Sequence, residues 1–344
     1  MLRFLCGIGN TSVASRERDR EDGGTGVAHD RATLVIVGLL TTFLWGFSLA
    51  DAEDPARHLR AETVIPQRGD NLCVGFDSVW MMNDQNLTRI ALADNAVTEI
   101  PIAGATGRWR RIAIGEGAVW VADNVSQSIY KIDPQTNRVV ITIPADFFAN
   151  NEKEGEIGAG EGAVWAITGS GADAVLRRYS PQNGTEQAAI PLPSPSARGV
   201  VVAFGSVWIA GTTGVELYRI DPAANQIIAT IDLHARPVAL SSGEGSVWVR
   251  QIDGTVQRID GHSGTLLATF ATDAADNMGD IAVGGGFVWV NSNSAPLLQI
   301  DPRTNSQRSR YASPTGEFMG YTIAYGGGSL WLGGSAVFRI KPPE

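Results

Sequence analysis

The chain has 344 residues, 44% of them apolar, which is enough to bury a substantial core as one or two domains. Charged residues make up only 18% of the chain and there are 40 glycines, a balance that favours many tight turns over long charged helices. The net charge of −9 argues against a nucleic-acid partner, because proteins that bind nucleic acid normally present a basic stripe.

The N-terminal segment differs in composition from the rest of the chain. Residues 32–50 contain no charge, and Ala50-Asp51-Ala52 has the small-x-small form of a signal-peptidase site. A run of about 20 apolar residues can also span a bilayer. Two interpretations therefore stay open: residues 1–52 are a cleaved export segment, or the run is retained as a single membrane anchor. Both predict a periplasmic or secreted protein that contacts the membrane, if at all, only through this segment.

A repeat begins after a linker at residues 53–60. Seven tryptophans recur at spacings of 40, 45, 43, 40, 41 and 42 residues, each inside a short apolar run such as GAVWVA or GSVWIA. The seven are Trp80, Trp120, Trp165, Trp208, Trp248, Trp289 and Trp331. A near-constant period of this length is typical of repeat architectures such as propellers.

Each unit contains four short strands. In the second unit these are RIAIG, AVWVAD, SIYKID and VVITI, separated by turn residues. The third and fourth strands are joined by DPQTN, DPAAN or DPRTN in three units, where Asp, Pro and Asn have the chemistry of a turn rather than that of catalytic acids. Four strands in each of seven units predict an all-β, seven-bladed β-propeller over residues 61–344.

The two ends of the repeat predict how the ring closes. The last unit stops after its third strand, at VFRIKPPE, and an orphan strand, AETVIPQ (residues 61–67), precedes the first unit. We expect the orphan strand to be the fourth strand of blade seven. The lone Cys73 within this region reads as a buried, inert thiol on an inner strand. We expect the protein to be a monomer.

The pattern GxGxVWVA followed by IDPxTNxVxxxI resembles the YVTN-type bacterial propeller repeats and the virginiamycin B lyase family over residues 61–344. The resemblance implies a seven-bladed propeller. It also implies an enzyme that opens a lactone with His residues at the starts of first strands, a carboxylate and Mg²⁺. This chain departs from that pattern, because Arg236-Pro237-Val238-Ala239 has Val238 where the His is expected and Met278-Gly279-Asp280-Ile281 has no His.

Residues that break the repeat at the starts of first strands are the candidates for function. They share one predicted rim of the central channel, where ligands of propellers commonly bind. Alignment on the tryptophans places Asn71, Arg111, Glu156, Gly199, Asp280 and Thr322 there, with Trp109, Arg110, Arg198 and Arg236 just before their strands. Arginine holds carboxylates bidentately and Trp109 offers a stacking face, so the rim suits an anionic or zwitterionic ligand, or a protein partner. Alternatively, Arg111, Glu156 and Asp280 pair only with one another.

Three further features leave alternatives open. Phe147 and Phe148 in the longest connection either form a docking knob or pack against blade three. His234 is the one histidine near a strand start, and is either a general base or an exposed loop residue. Rim carboxylates could bind Mg²⁺ or Ca²⁺, although no dedicated loop is present; the candidates are Glu154, Glu156, Asp276, Asp280 and Glu317.

Two functional hypotheses follow from these residues. One is an exported ligand-binding or protein-interaction module that uses an Arg-rich rim. The other is a metal-assisted lyase or hydrolase acting on a lactone or another small molecule, with His234 as its base. The missing histidine pair favours binding.

Overall fold

The computed structural model describes residues 57–83, 86–102, 110–147, 156–169, 173–194, 197–211, 213, 215–312 and 321–343. The chain divides into two units, residues 1–50 and 51–344. The described residues belong to the second unit, so the predicted export segment lies outside them. Within these ranges no helix has the length and apolar character needed to cross a membrane.

The described residues form β-strands connected by turns and loops. In the first half of the chain the strands are β1 (Arg57–His58), β2 (Ala61–Ile65), β3 (Asp70–Gly75), β4 (Ser78–Met82), β5 (Asn86–Ala91), β6 (Val97–Pro101), β7 (Arg110–Gly115), β8 (Ala118–Asp123), β9 (Ser128–Asp133), β10 (Arg138–Pro144), β11 (Ile157–Gly160), β12 (Ala163–Thr168), β13 (Val175–Tyr179) and β14 (Glu186–Pro191). In the second half they are β15 (Ala197–Ala203), β16 (Ser206–Gly211), β17 (Glu216–Asp221), β18 (Gln226–Asp232), β19 (Pro237–Gly243), β20 (Ser246–Gln251), β21 (Thr255–Asp260), β22 (Leu266–Ala271), β23 (Ile281–Gly284), β24 (Phe287–Val290), β25 (Leu297–Asp301), β26 (Ser306–Ala312), β27 (Thr322–Gly326), β28 (Ser329–Gly333) and β29 (Val337–Ile340).

These strands build seven antiparallel blades, which confirms the predicted fold. Blades one to six contain four consecutive strands each, from β3–β6 to β23–β26. The first strands β3, β7, β11, β15, β19, β23 and β27 contact one another in turn, and β27 contacts β3. The ring is therefore closed around a channel lined by first strands.

Blade seven is closed by the N-terminal strand, as predicted. β2 pairs antiparallel with β29, with Ala61 opposite Ile340 and Ile65 opposite Val337. The preceding residues, predicted as a linker, also join the fold: β1 pairs in parallel with β26 of blade six, and Leu59 is buried. Both ends of the propeller are thus held by strand pairing, which leaves no long open edge at the seam.

The seven repeated tryptophans lie on the second strands and are fully buried. Each indole Nε1 donates a hydrogen bond of 2.9–3.2 Å to the carbonyl of the residue five positions earlier, at the end of the first strand. The Trp80 cluster includes Val119 and Val121 of blade two, so the core lies between neighbouring blades. A Cβ on Gly115 would come within 2.5 Å of the Ala159 carbonyl oxygen, which explains a glycine where two blades approach closely.

A second repeated device joins neighbouring blades and was missed in the sequence. Arg89 on the third strand of blade one lies over Trp80, 5.0 Å from its ring centroid. The same guanidinium donates to the Pro134 carbonyl at 2.7 Å and to Asn137 Oδ1 at 3.0 Å, in the DPQTN turn of blade two. We call this arrangement the Arg–turn staple. Its signal was readable, because a basic residue stands two positions before the turn in most units.

The Arg–turn staple recurs in blades three, five and seven, and in blade six, next to the closure of the ring, a different residue takes the place of the arginine. Arg178, Arg258 and Arg339 each donate to a backbone carbonyl and an Asn side chain of the next turn. Blade seven has no third-to-fourth turn, because β2 replaces its fourth strand. Blade six accordingly has Gln299 at this position, which donates to the Pro343 carbonyl at 3.2 Å.

Candidate functional site

A cavity of about 290 Å³ occupies the central channel. Its wall comes from the first strands of all seven blades. At the start of those strands, on the rim that carries the fourth-to-first connections, it is bordered by five residues that alignment on the tryptophans had placed together: Asn71, Arg111, Glu156, Gly199 and Asp280. We call this polar part of the cavity the channel mouth. Thr322, the sixth residue of that alignment, is not among the lining residues.

Arg111 is the central cation of the channel mouth. It projects from β7 of blade two and donates from Nη1 to Asn71 Oδ1 of blade one at 2.6 Å. Its Nη2 lies 3.9 Å from Glu156 Oε1 of blade three. Glu156 is largely buried and also accepts, through Oε2, the Gly199 amide of blade four at 2.9 Å. One polar chain thus connects four consecutive blades, and the charge of Glu156 is balanced by that of Arg111.

Asp280 of blade six has a different environment. Its Oδ1 accepts the Ile281 amide at 2.9 Å, and Thr322 Oγ1 lies 3.4 Å from its Oδ2. Among the residues that the structure describes, no Lys, Arg or His nitrogen forms an ion pair with it. The carboxylate keeps part of its surface open to the cavity, yet surrounding protein desolvates it and raises its pKa, although the charge of Arg111 acts in the opposite direction.

Two β-bulges decide which side chains reach the channel mouth. The pairing of β15 with β16 shifts between Arg198 and Val200, and that of β3 with β4 shifts between Asp70 and Cys73. Asn71 and Gly199 stand in these bulges with left-handed backbone, at φ of 55° and 70°. A bulge re-aims side chains along a strand. Asn71 and Gly199 border the cavity, whereas Arg198, predicted as a ligand-binding residue, is half-buried and does not line it.

Arg110, also predicted to bind ligand, is not among the residues that line the cavity. Its side chain is fully buried, and its Nε lies 3.2 Å from Asp123 Oδ2, which is equally buried. The two residues are directly opposite each other in the β7–β8 ladder. Because successive side chains of a strand point to opposite faces, Arg110 and Arg111 cannot both reach the channel. Arg110 therefore belongs to a buried ion pair inside blade two.

The predicted base His234 lies outside the cavity. Its side chain is 61% exposed, and its Nε2 is 3.5 Å from Asp253 Oδ2 in the neighbouring second-to-third connection. Its amide donates to Gln257 Oε1, which holds the loop on blade five. Arg236 is exposed and does not line the cavity either. Two of the predicted site residues thus belong to the outer surface of the rim.

Several predicted residues lie outside the described ranges: Trp109, Phe148, Glu154 and Glu317. Phe147 is described and is 2% exposed, packed with Ile157, Val164 and Tyr179 of blade three. This confirms, for Phe147, the alternative in which the aromatic residue packs against the propeller.

The described carboxylates do not fit a shared divalent metal ion. Glu156 and Asp280 project from blades three and six, and Asp276 is held by Arg250 Nη2 at 3.1 Å and by the Ser294 hydroxyl at 2.9 Å. Among the residues described here, no group of three or more His, Cys, Asp or Glu side chains comes together. We derive no reaction step through a metal at this site.

No family model matches this chain, and no curated protein shows significant similarity to it. The similarity to the virginiamycin B lyase family and to YVTN-type repeats therefore stays a resemblance in the repeat motif. Its implication for the fold, seven blades of four strands, agrees with the structure. Its implication for activity has no support among the described residues that line the channel mouth, none of which is a histidine. Val238 and Asp280 stand at the two positions considered for histidine.

The sequence did not identify the inner wall of the cavity. Ser241 of blade five and Tyr325 of blade seven lie there, as does Cys73 of blade one. Burial, followed by the nearby charge of Asp280, raises the pKa of the Cys73 thiol to about 12, and the thiol donates to the Ile112 carbonyl. This agrees with the predicted inert thiol. The inner-wall residues lie at positions that repeat from unit to unit, so a search for residues that break the repeat does not find them.

Proposed function

We propose that this protein is a ligand-binding β-propeller that holds a small polar molecule in the channel mouth. The observation that carries the proposal is the convergence of charged groups from three separate blades, Arg111, Glu156 and Asp280, on one cavity. Ligand sites are commonly concave and contain a small number of convergent polar groups.

The volume of the cavity favours a small molecule over a macromolecular partner. About 290 Å³ is at the lower end of the range of known small-molecule sites. Of the four arginines that the sequence suggested, Arg111 alone borders the cavity. The Arg-rich rim is therefore a weaker basis for a partner than the mixed charges of the channel mouth.

The enzymatic alternative receives less support. A general base must come within hydrogen-bonding reach of the proton that it removes. His234 is exposed and pairs with Asp253, away from the cavity. We place the proposed binding activity in the periplasm or outside the cell, on the sequence of residues 32–52 alone.

The proposal is tested by a thermal-shift screen of the full chain against small amines, amino acids, carboxylates and sugars. A ligand at 100 times its Kd stabilises the folded state by about 2.7 kcal/mol, which raises the Tm of a domain of this size by about 5–10 °C. We expect at least one compound to give such a shift, measured against each variant's own Tm.

Two variants locate the site. Arg111→Met is expected to change the shift, because loss of the guanidinium weakens a ligand that pairs a carboxylate with it and strengthens a purely cationic ligand. Arg236→Met removes the same charge from the exposed rim and should leave the shift unchanged. A screen without any stabilising compound, or a shift that is unchanged in Arg111→Met, would contradict binding in the channel mouth.

A further inference from the structure

The charges of the channel mouth are unequal. Among the described residues that border it there are one cation, Arg111, and two carboxylates, Glu156 and Asp280. Arg111 is engaged by Glu156 on one side and by Asn71 on the other. The second carboxylate, Asp280, receives only an amide and a hydroxyl as its described donors. The sequence suggested a site dominated by arginine, whereas the described lining residues include one more carboxylate than cations.

A desolvated carboxylate is stabilised when a cation approaches it, because attraction between opposite charges is stronger where water is excluded. Asp280 faces the cavity, so a bound molecule can supply that cation. The net charge of −9 also favours the approach of positively charged molecules to this protein.

Blade five differs from the other six blades in what it contributes to the cavity wall beside Asp280. Blades six, seven, one, two, three and four contribute Asp280, Thr322, Asn71, Arg111, Glu156 and the Gly199 amide to the polar chain. The corresponding position of blade five is Ala239, opposite Arg250, and it supplies no polar side chain. The next residue, Leu240, lines the cavity within the apolar layer that every blade contributes below the polar groups. The ring of polar groups is therefore interrupted beside Asp280, and the carbon chain of a ligand can pack there on the apolar layer that includes Leu240.

Resting on the proposed function, we infer that the ligand of the channel mouth carries a positively charged amine that pairs with Asp280, joined to a short apolar chain that packs on Leu240. An alkylamine has this chemistry, and so does an amino acid whose amine and carboxylate are separated by several carbons. A dianion does not, because it would bring a second negative charge to Asp280.

The test uses four probes on one four-carbon chain: 1,4-diaminobutane, 4-aminobutanoate, 1,4-butanediol and butanedioate. Affinities are measured by calorimetry or by ligand-detected NMR with the full chain at pH 7. We expect the two amine-bearing probes to bind at least 10-fold more tightly than the diol, and butanedioate to bind most weakly.

Two variants with the same loss of charge separate pairing at Asp280 from general attraction. Asp280→Asn keeps a side-chain oxygen for the Ile281 amide and should reduce the affinity of both amines to that of the diol. Asp253→Asn removes a carboxylate from the outer rim, beside His234, and should leave the affinities within about twofold. Folding of each variant is checked by its Tm before binding is measured.

The outcomes distinguish this inference from the function on which it rests. Tightest binding of butanedioate, or amine affinities unchanged in Asp280→Asn, would overturn the amine inference alone. It would also be overturned if all four probes failed while the wider screen found another ligand sensitive to Arg111→Met, and the proposed function would then stand. If neither experiment found a ligand, both would be wrong.

Discussion

Replacing Arg110 by Met tests whether this arginine stabilises the fold or binds the ligand. Its guanidinium and the Asp123 carboxylate are both fully buried, with Nε and Oδ2 3.2 Å apart. Removal of one partner leaves the other charge buried without its counter-ion, which typically costs about 3–5 kcal/mol. Asp123 keeps the Val125 amide as a donor at 2.8 Å, so we expect the lower part of that range.

The expected loss lowers the Tm by on the order of 10 °C, because 1 kcal/mol corresponds to about 2–4 °C in a domain of this size. Unfolding is followed by circular dichroism and by tryptophan fluorescence. The comparison variant is Arg111→Met, whose side chain is 29% exposed and whose Nη2 lies 3.9 Å from Glu156 Oε1, so its loss of stability should be smaller than that of Arg110→Met. Below its Tm, Arg110→Met should bind any ligand of the channel mouth with unchanged affinity, whereas Arg111→Met should not.

The double variant Arg110→Met/Asp123→Asn examines the pair itself. Because the two side chains interact directly, the loss in the double variant should be smaller than the sum of the single losses by about 0.5–3 kcal/mol. Unchanged stability in Arg110→Met, or strictly additive losses, would refute the conclusion that this pair supports blade two.

Two other predictions concern the staple and the channel mouth. Arg89→Met removes the charged hydrogen bond to the Pro134 carbonyl and the contact over the blade-one tryptophan, so urea unfolding should show a loss of about 2 kcal/mol. Asp280→Asn should raise the Tm at pH 7, because the folded state contains a desolvated carboxylate at this position. Burial raises the pKa of Asp280 above its ordinary value of 3.8; the charge of Arg111 opposes this rise and that of Asp70 adds to it. A rise of one in a pKa corresponds to about 1.4 kcal/mol. As the pH falls through the raised pKa, the wild type takes up a proton and gains stability, so the advantage of the variant should disappear.

The Arg89→Met measurement has a matched control, and the Asp280→Asn prediction has a pH dependence that can contradict it. Arg303→Met removes an arginine whose side chain is 83% exposed and should change the free energy of unfolding by less than about 1 kcal/mol. An equal loss in Arg89→Met and Arg303→Met would show that the staple contributes nothing beyond an exposed charge. For Asp280→Asn, Tm values that differ from the wild type equally at pH 7 and pH 4 would contradict desolvation as the cause of the raised pKa.

The turn chemistry shows how far local sequence can be trusted. Asp133 and Asp221 were assigned to turns, and backbone amide donors do hold the pKa of each carboxylate below its ordinary value. This worked because an Asp-Pro-x-x-Asn turn depends on residues that are neighbours in sequence. The contacts of Asn137 with Arg89 of the preceding blade depend on packing between blades and were not predicted.

By itself, the sequence determined the number of blades and the closing strand, and it placed Arg111, Glu156 and Asp280 at one end of the channel, because a period near 40 residues and a tryptophan in each unit fix the position of a residue along its blade. Tertiary structure decided which side of the strand those residues face. Arg110 is buried with Asp123, whereas Arg111, the next residue, borders the cavity. In blade four a bulge inserts one residue at Gly199, and the preceding Arg198 does not line the cavity. Side chains alternate with a period of two, so a single bulge reverses which face a residue occupies, and the repeat does not record where bulges occur.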